Sequence, residues 1–247
     1  MMAARHRFYV PPERIFSNQV LFSASQAKQI ANVLRLHAGD TVYVFDNTGK
    51  EYATKLLAVD VPEVAGEITQ VMHPKTEARL RLTLVQGLLK GDKIELILQK
   101  CTEIGVSAFI IAATARSVPK IPEDRLASRI ERWRAIVREA AEQSGRVRVP
   151  DVKGIVPLEE TFSLTDGKGI IAWEQEKDKD ISSELLGAAS AESLTCFIGP
   201  EGGFSDEEVQ AAAHSGIKPV SLGARILRAE TAAIVTSALL IYGAEKA

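Results

Sequence analysis

Cysteine is scarce in this chain of 247 residues, which contains only Cys101 and Cys196. The two lie far apart and form no CxxC pair, so the chain lacks the pattern of a zinc site and that of a disulfide framework. Its four histidines are scattered: His6, His37, His73 and His214. Because these spacings do not suit metal ligands, and GxSxG and Cys–His–Asn patterns are missing, we expect no metal and no nucleophilic catalysis.

Long apolar runs are absent too. Residues 1–12 lack the apolar core of a signal peptide, and no stretch approaches the roughly 20 apolar residues of a membrane-spanning helix. Apolar side chains still make up 46% of the residues and charged ones 25%, a balance typical of globular proteins with a real core. Together with the unpaired cysteines, this predicts a cytoplasmic protein in a reducing compartment, without a membrane partner.

The chain as a whole has no strong excess of one charge, since its formal net charge is −2. Individual regions do have such an excess. Residues 1–35 carry five basic side chains against one acidic, and residues 116–148 carry nine against five. Residues 150–210 carry 14 acidic side chains against four lysines. The two basic regions suit a polyanion such as nucleic acid, and they equally suit a solvated surface.

The first 72 residues have the pattern of short strands. Residues 41–45, 52–59 and 67–71 are rich in β-forming side chains, and DNTG at 46–49 is a typical turn. A predicted helix at residues 25–34, capped by Ser23 or Ser25, interrupts them. This predicts a small β-barrel or sandwich, followed by a polar linker at residues 73–79.

From Leu80 onward the pattern alternates between strand and helix. Predicted strands lie at residues 81–86, 108–112, 169–173, 194–198 and 219–222. Predicted helices lie at residues 90–104, 124–144, 181–189, 206–214 and 229–242. Such alternation predicts a mostly parallel sheet with helices on both faces. Ligands bind such sheets beyond the carboxyl ends of the strands, so the loops that follow the strands are the candidates for a site.

The most informative loop is GPEGGF at residues 199–204. Its glycines allow a ligand to approach the backbone closely, and SDEE at 205–208 is a capping box that begins a helix. The loop matches neither GxGxxG nor GxxxxGK[ST], and its carboxylate, Glu201, would repel phosphate. It therefore favours a ligand with a cationic or uncharged contact surface, and a tight turn without a ligand is the alternative.

Two other loops follow strands: GARILR at 223–228 and EQE at 174–176. Because exposing both Ile226 and Leu227 is unfavourable, we expect the GARILR loop to pack against another surface. Its arginines would then point towards an anion, or form local ion pairs with Glu201 and Glu230.

The end of the helix at 124–144 carries a further candidate cluster. Glu139 and Gln143 share one helical face, and Gly145 allows the chain to turn so that Arg146 reaches a site. The same helix carries further arginines: Arg129, Arg132, Arg134 and Arg138. These suit a phosphate backbone, and a solvated helix face is equally consistent with them.

Two C-terminal strings are highly specific: FIGPEGGFS at residues 197–205 and SLGARILRAETA at 221–232. Further strings match in order along nearly the whole chain: RFYV at 7–10, VLRLHAGD at 33–40, KCTEIGV at 100–106 and EQSGR at 142–146. Together they closely resemble the RsmE family. These SPOUT-class enzymes methylate N3 of a uridine in bacterial 16S ribosomal RNA.

The resemblance implies a PUA-like RNA-binding β-barrel at residues 1–72. It also implies a SPOUT-type α/β methyltransferase domain at 76–247, with a trefoil knot in residues of roughly 170–235. The implied cofactor is S-adenosyl-L-methionine, and the implied partners are 16S ribosomal RNA within the small subunit and a second copy of the chain. The methyl group would pass directly to uridine N3 without a metal. The apolar closing helix, with Ile234 to Leu240, is consistent with an interface.

The resemblance also implies site residues. Cofactor contacts are expected from Trp173, Glu174, Ile198, Gly199, Pro200, Gly202, Gly203, Ser221, Leu222, Gly223, Ile226, Leu227 and Arg228. The expected catalytic residues are Arg146, Glu201, Arg228 and Glu230. Glu139, Glu201 and Glu230 are the candidates for the base, with Arg146 or Arg228 stabilising the developing imide anion. RNA contacts are expected from Arg5, Arg7, Arg35, Arg129 and Arg132.

The sequence departs from the family pattern at two places. Lys28 and Gln29 stand where a histidine pair is frequent, and Asn47 stands where glycine is usual. Both departures concern RNA docking and leave the transfer chemistry unchanged.

Two other functions stay open, a SPOUT-class methylase of another RNA such as transfer RNA and a non-catalytic ribosome-binding module. The match in the N-terminal barrel counts against the first, and the cofactor loops count against the second.

Overall fold

The structure is a computed structural model that describes residues 5–117, 121–189 and 191–246. The chain divides into two compact units, each described by itself below. The N-terminal unit consists of Met1–Glu77 and Ala141–Val149, and the C-terminal unit consists of Ala78–Ala140 and Pro150–Ala247. Among the described residues, no helix combines the length and the apolar character needed to cross a membrane.

The N-terminal unit is built on a six-stranded sheet with the strand order β1-β4-β5-β6-β3-β2. Its strands are β1 (Arg7–Tyr9), β2 (Ile15–Phe16), β3 (Gln19–Leu21), β4 (Thr41–Phe45), β5 (Glu51–Asp60) and β6 (Glu63–Met72). β1 runs parallel to β4, and the other neighbours are antiparallel. A separate, mainly antiparallel sheet fits the small β-barrel that the sequence predicts. Strands β1 to β3 were not predicted, because two or three residues are too few to show alternation.

The core of the N-terminal unit comes from the inward face of these strands. Val42 and Val44 are buried and alternate with the less buried Thr41 and Tyr43, as expected for a half-buried strand, and β4 ends on the buried Phe45. In the turn after β4, Asn47 has φ 68° and its side-chain oxygen accepts a hydrogen bond from Val149 N at 2.8 Å. Asparagine tolerates this left-handed conformation better than other side chains do, which explains how it stands where glycine is usual in the family.

The helix predicted at residues 25–34 has two parts. α1 consists of Ala24–Lys28, and its N-cap is Ser23, which forms a capping box with Gln26. It continues as a π-helical turn at Gln29–Val33. Residues 141–149, which include the last turn of the long helix α3 (Glu123–Ser144), belong to the N-terminal unit.

The C-terminal unit contains a six-stranded, fully parallel sheet with the order β12-β10-β11-β7-β8-β9. Its strands are β7 (Arg81–Gly87), β8 (Ala108–Ala113), β9 (Asp151–Pro157), β10 (Lys168–Ala172), β11 (Ser193–Ile198) and β12 (Lys218–Val220). Its helices, besides α3, are α2 (Lys93–Ile104), α4 (Leu158–Phe162), α5 (Ser182–Ala189), α6 (Asp206–His214) and α7 (Ala229–Lys246). The predicted parallel α/β fold is confirmed, whereas β9 and α4 were not predicted.

The strand order explains how distant loops of the C-terminal unit come together. β11 lies between β10 and β7, and β12 pairs with β10 on its other side. Because all four strands are parallel, their carboxyl ends meet at one edge of the sheet. Residues of β7, β10 and β11 are buried almost without interruption, as in parallel sheets covered on both faces.

Candidate functional site

A cavity of about 1060 Å³ lies at this edge of the sheet in the C-terminal unit. Its walls are Lys93, Ala172, Trp173, Glu174, Glu176, Lys177, Asp180, Ile198, Gly199, Pro200, Glu201, Gly202, Gly203, Ser221, Leu222, Gly223, Ala224, Arg225, Ile226, Leu227, Arg228, Ala229 and Ala232. Every residue predicted to contact the cofactor is in this set. Three loops that are remote in the sequence therefore surround one cavity.

The loop at residues 199–203, which we call the first glycine loop, is tightly packed. Gly203 has φ +67° and its N–H donates to the carbonyl of Pro200 at 2.9 Å. The last residue of β7, Gly87, lies against the loop, and a Cβ there would be 2.6 Å from Pro200 N. The buried side chain of Gln86 donates from Nε2 to the carbonyl of Gly199 at 3.1 Å. The end of β7 thus fixes the position of this loop.

The loop at residues 221–228, which we call the second glycine loop, is open. Gly223 has φ +100°, and a Cβ there would meet nothing within 4 Å. Ile226 is 89% exposed, whereas Leu227 is half-buried. The expected packing of this loop therefore holds for Leu227 and does not extend to Ile226. The reason for the difference is that the loop lines the cavity, and no described segment covers Ile226 there.

The loop after β10 contributes an aromatic donor and a carboxylate. Trp173 N donates to the carbonyl of Val220 at 3.0 Å, which joins this loop to β12. Its indole Nε1 is buried and has no hydrogen-bond partner among the described residues. The Glu174 carboxylate lies so close to Gly203 that a Cβ there would be 2.5 Å from Oε1. Because this N–H is shielded and lacks a partner, a ligand that reaches it would supply the hydrogen bond that the fold leaves unmade.

Glu201 and Glu230 form ion pairs with Lys93, and not with the arginines that the sequence suggested. Lys93 Nζ lies 3.0 Å from Glu201 Oε1 and 3.7 Å from Glu230 Oε2. Burial raises the pKa of Glu201, but the hydrogen bonds from Lys93 and from backbone N–H groups outweigh burial and lower the pKa overall. Glu201 is therefore ionised and engaged, which suits a carboxylate that holds the loop better than a general base.

Further carboxylates on the wall are held in the ionised form. Backbone N–H donation from Asp178 lowers the pKa of Glu176, and donation from Ser182 lowers that of Asp180. The segment around Asp180 also pairs with the second glycine loop, where Ser221 N donates to the carbonyl of Lys179 at 2.7 Å. The cavity wall thus carries carboxylates as well as the cations of residues 93, 177, 225 and 228.

The remaining predicted catalytic residues lie outside the cavity walls. Arg146 belongs to the N-terminal unit and is 4% exposed, with Nη2 at 2.7 Å and Nε at 3.2 Å from Glu77 Oε2. The same carboxylate accepts from Val147 N at 2.9 Å, so this is the environment of a structural ion pair. Glu230 forms an ion pair with Lys93 at 3.7 Å and is not part of the cavity wall. Glu139 is exposed on α3.

The predicted RNA-binding arginines are in different environments. Arg7 is buried at 7% exposure and paired with Glu51 at 2.7 Å, so its guanidinium is a structural group rather than a free phosphate contact. Arg132 pairs with Glu95 at 2.7 Å, and Arg129 donates to the carbonyl of Gly91 at 3.2 Å. Arg5 and Arg35 are exposed, with Arg5 stacked on Tyr43 at 4.6 Å from its ring centroid.

One set of site residues that was not predicted lies at and after the end of β7. Gln86, Gly87 and Lys93 fix or line the cavity, whereas the predicted site includes only loops after three later strands. The rule that ligands bind beyond the carboxyl ends of parallel strands applies equally to β7. Applied to it, the rule would have included the segment at residues 87–93.

Comparison with known proteins gives a consistent result. The sequence model of the RNA methyltransferase domain family matches residues 76–241. The ribosomal RNA small subunit methyltransferase E of Bacillus subtilis is 31% identical, over 90% of each chain. The protein of the same name from Synechocystis is 34% identical, over 94% of this chain and 76% of that one.

Solved structures agree with the sequence comparison. The crystal structure of a ribosomal RNA small subunit methyltransferase E from Neisseria gonorrhoeae, bound to S-adenosyl methionine, superposes with a TM-score of 0.84 at 31% identity. That alignment covers 95% of each chain. By its parallel α/β fold and by these similarities over nearly its whole length, the chain belongs to the RsmE family of ribosomal RNA small subunit methyltransferases.

Proposed function

We propose that this protein uses S-adenosyl-L-methionine to methylate N3 of a uridine in 16S ribosomal RNA of the small ribosomal subunit, in the cytoplasm. The observation that carries the proposal is the convergence of three strand-following loops on one cavity, with the indole N–H of Trp173 unpartnered in its wall. A volume of about 1060 Å³ is large for a small-molecule site, so it has room for a cofactor and a target base.

The residues around the cavity fit the chemistry of this cofactor. S-adenosyl-L-methionine carries a carboxylate, an ammonium and a sulfonium, and the wall offers groups of both signs to them. Glu174, Glu176 and Asp180 are available to the cationic parts, while Arg225 and Arg228 are available to the carboxylate or to RNA. The crowding at Gly203, where a Cβ would collide with Glu174, keeps backbone rather than side chain on this wall.

When bound, the cofactor supplies a methyl group on a sulfonium; transfer to N3 breaks the methyl–sulfur bond, leaves its electron pair on a neutral sulfur and releases the N3 proton. The chain's own residues provide position and charge. Gln86 and Gly87 hold the first glycine loop in place, so that donor and acceptor stay in line. Arg228 is the cavity cation that we assign to the imide anion. Glu201, held by Lys93, keeps the loop in position.

The proposal is tested in two steps. Calorimetry should detect binding of S-adenosyl-L-methionine to the wild-type chain. Trp173→Phe keeps an aromatic side chain but removes the indole N–H and part of the ring volume, and it should weaken binding about fivefold. Methylated uridines in ribosomal RNA are then mapped in a strain from which the gene for this chain has been deleted, and in the same strain after the gene is restored. We expect one methylated uridine of 16S RNA to be lost on deletion and to return with the gene.

The two alternative functions give different results in the same experiments. A methylase of another RNA would bind the cofactor and leave 16S RNA unchanged, with the modification missing from transfer RNA instead. A ribosome-binding module without catalysis would not bind S-adenosyl-L-methionine. The family membership and the cavity favour the methylase of 16S RNA.

We propose that RNA is contacted by the N-terminal unit as a PUA-like domain, through the exposed cations Arg5 and Arg35. Replacing both with Gln should weaken RNA binding and reduce its salt dependence by about one slope unit for each phosphate that is no longer neutralised. Arg7 is unsuitable for this test, because removing it leaves Glu51 buried and unpaired. An unchanged salt slope would assign Arg5 and Arg35 to an ordinary solvated surface.

We also propose a homodimer formed through α7. Val235, Leu239 and Tyr242 follow one another at helical spacing and are 38%, 38% and 61% exposed, whereas Leu240 is fully buried. Leu239→Glu should therefore give monomers of normal fold, and Leu240→Glu should unfold the chain. Light scattering that finds an active wild-type monomer at micromolar concentration would contradict the dimer. The trefoil knot implied by the family resemblance stays a prediction.

A further inference from the structure

Three charged side chains from three segments meet beside the cavity, and we call them the Lys93 cluster: Lys93, Glu201 and Glu230. Lys93 is the first residue of α2, Glu201 lies in the first glycine loop, and Glu230 lies in the first turn of α7. The ammonium is 3.0 Å from one carboxylate and 3.7 Å from the other. Lys93 and Glu201 both form part of the cavity wall. A single cation thus connects the first glycine loop with the first turn of α7.

The cluster has more negative than positive charge of its own. Two carboxylates surround one ammonium, and Glu230 Oε2 has no hydrogen-bond partner among the described residues. The hydrogen bond to Glu201 raises the pKa of Lys93 and outweighs the effect of burial, so the ammonium stays protonated. Arg228 on the same wall is near enough to act on Lys93 electrostatically. The net charge of this wall is therefore close to neutral only while Lys93 is present.

We propose that Lys93 is a positioning residue that compensates the charge of Glu201 and Glu230, and thereby sets how strongly the site prefers the sulfonium cofactor over its neutral demethylated product. The inference rests on the proposed methyltransferase function. Lys93 makes no bond to the reacting atoms in this role, and it acts through the two carboxylates.

The physical reason is the change of charge during the reaction. Methyl transfer removes the positive charge from sulfur, so surplus negative charge nearby stabilises the reactant more than the transition state or the product. Removing Lys93 would leave that surplus. One unit of surplus charge beside the cavity, screened by the solvent of a partly exposed site, corresponds to about a fivefold change in an equilibrium constant.

The experiment measures binding of S-adenosylmethionine and of S-adenosylhomocysteine, which lacks the methyl group and the charge, by calorimetry. In Lys93→Met the ratio of the two dissociation constants, homocysteine form over methionine form, should rise about fivefold. Lys93→Arg should keep the wild-type ratio. The matched control is Lys100→Met, on the same helix with an ordinary ion pair to Glu103, and it should leave the ratio unchanged.

Two further measurements separate charge from structure. The double variant Lys93→Met with Glu201→Gln removes one charge of each sign and should return the ratio towards the wild-type value. Raising the salt concentration should reduce the effect in Lys93→Met, since the groups are partly exposed. If Lys93→Met does not fold, Lys93→Gln is used for the same ratio.

A purely structural role would weaken both ligands equally, so an unchanged ratio in a folded Lys93 variant overturns the inference and leaves the proposed function intact. Failure of the wild-type chain to bind either ligand would overturn the proposed function and the inference with it. The two failures are therefore distinguishable in one set of titrations.

Discussion

The two glycine loops of the cavity differ in what holds them. In the first glycine loop, a Cβ at residues 199, 202 or 203 would lie 3.2 Å or less from neighbouring atoms. In the second glycine loop, a Cβ at Gly223 would meet open space, and Ile226 is 89% exposed. Glycine thus serves close packing in the first loop and only a positive φ in the second.

The contrast between the loops indicates which part of the site has its shape before a ligand binds. The first glycine loop is fixed by β7 and by the ion pair of Glu201, so its shape is set by the protein alone. The second glycine loop is held by the backbone hydrogen bond from Ser221 N to the carbonyl of Lys179, and the residues at its tip have few contacts. Loops with few contacts have low local stability, so we expect a ligand or partner to order the second loop further.

Gly87→Ala should have the largest effect, because it attacks the packing of the first loop. The new methyl group would lie 2.6 Å from Pro200 N and 2.7 Å from Pro200 Cδ, and β7 is an interior strand that cannot move away. Overpacking of this kind costs about 2 kcal/mol, or about a thirtyfold loss of S-adenosyl-L-methionine affinity if the loop moves. Calorimetry and thermal unfolding measure the two effects.

The control for this variant is Gly202→Ala, whose Cβ would lie 3.1 Å from the side chain of the exposed Arg116. The nearest atom is Arg116 Cβ, so the exposed segment at Arg116 must shift by a few tenths of an ångström, and affinity should change less than about threefold. Equal effects of the two variants would show that the first loop is not fixed by β7.

Gly223→Ala should have an intermediate effect. Nothing obstructs its methyl group, but φ +100° is unfavourable for alanine and costs about 1–2 kcal/mol. Cofactor affinity should fall roughly tenfold when the strain moves the loop. Gly216→Ala is the matched control, because Gly216 has φ +81° with open space around it and lies in the turn before β12. It should lower stability similarly and leave the cofactor affinity unchanged.

Ile226→Ser should have the smallest effect. An 89% exposed side chain has little contact to lose, so the free energy of unfolding should change by less than about 0.5 kcal/mol. A loss of stability above about 1 kcal/mol, seen in denaturant titration, would mean that the second loop packs in solution and that the contrast between the loops is wrong.

Periodicity and turn signals were enough to predict most of the C-terminal unit. The helix predicted at residues 206–214 agrees with α6, because the capping box at Ser205 marks its start. β9 was missed because DVKGIVP has a glycine and a proline within a short run, and α4 because five residues show no helical period. The same limit explains the missed short strands of the N-terminal unit.

Side-chain roles were harder to predict than loops. The sequence indicates that Arg7, Arg146 and Glu201 are charged groups near recognisable motifs, but not what they pair with. The partner of Arg7 is 44 residues away, that of Arg146 is 69 residues away, and that of Glu201 is 108 residues away. Pairing at such separations depends on strand order, which local patterns do not contain.

Hydrophobic period and glycine-rich turns are local properties, so the residues alone were enough to predict the parallel α/β class and the loops that carry the site. The family was predicted from its resemblance in specific strings such as FIGPEGGFS at residues 197–205. Which charges meet and which glycines are crowded depends on the tertiary structure. Lys93 lies at the site because β7 is beside β11, and Gly87 is crowded because its strand ends against Pro200. Contacts between segments that are distant in the chain form only when the elements pack against one another, so local sequence patterns do not contain them.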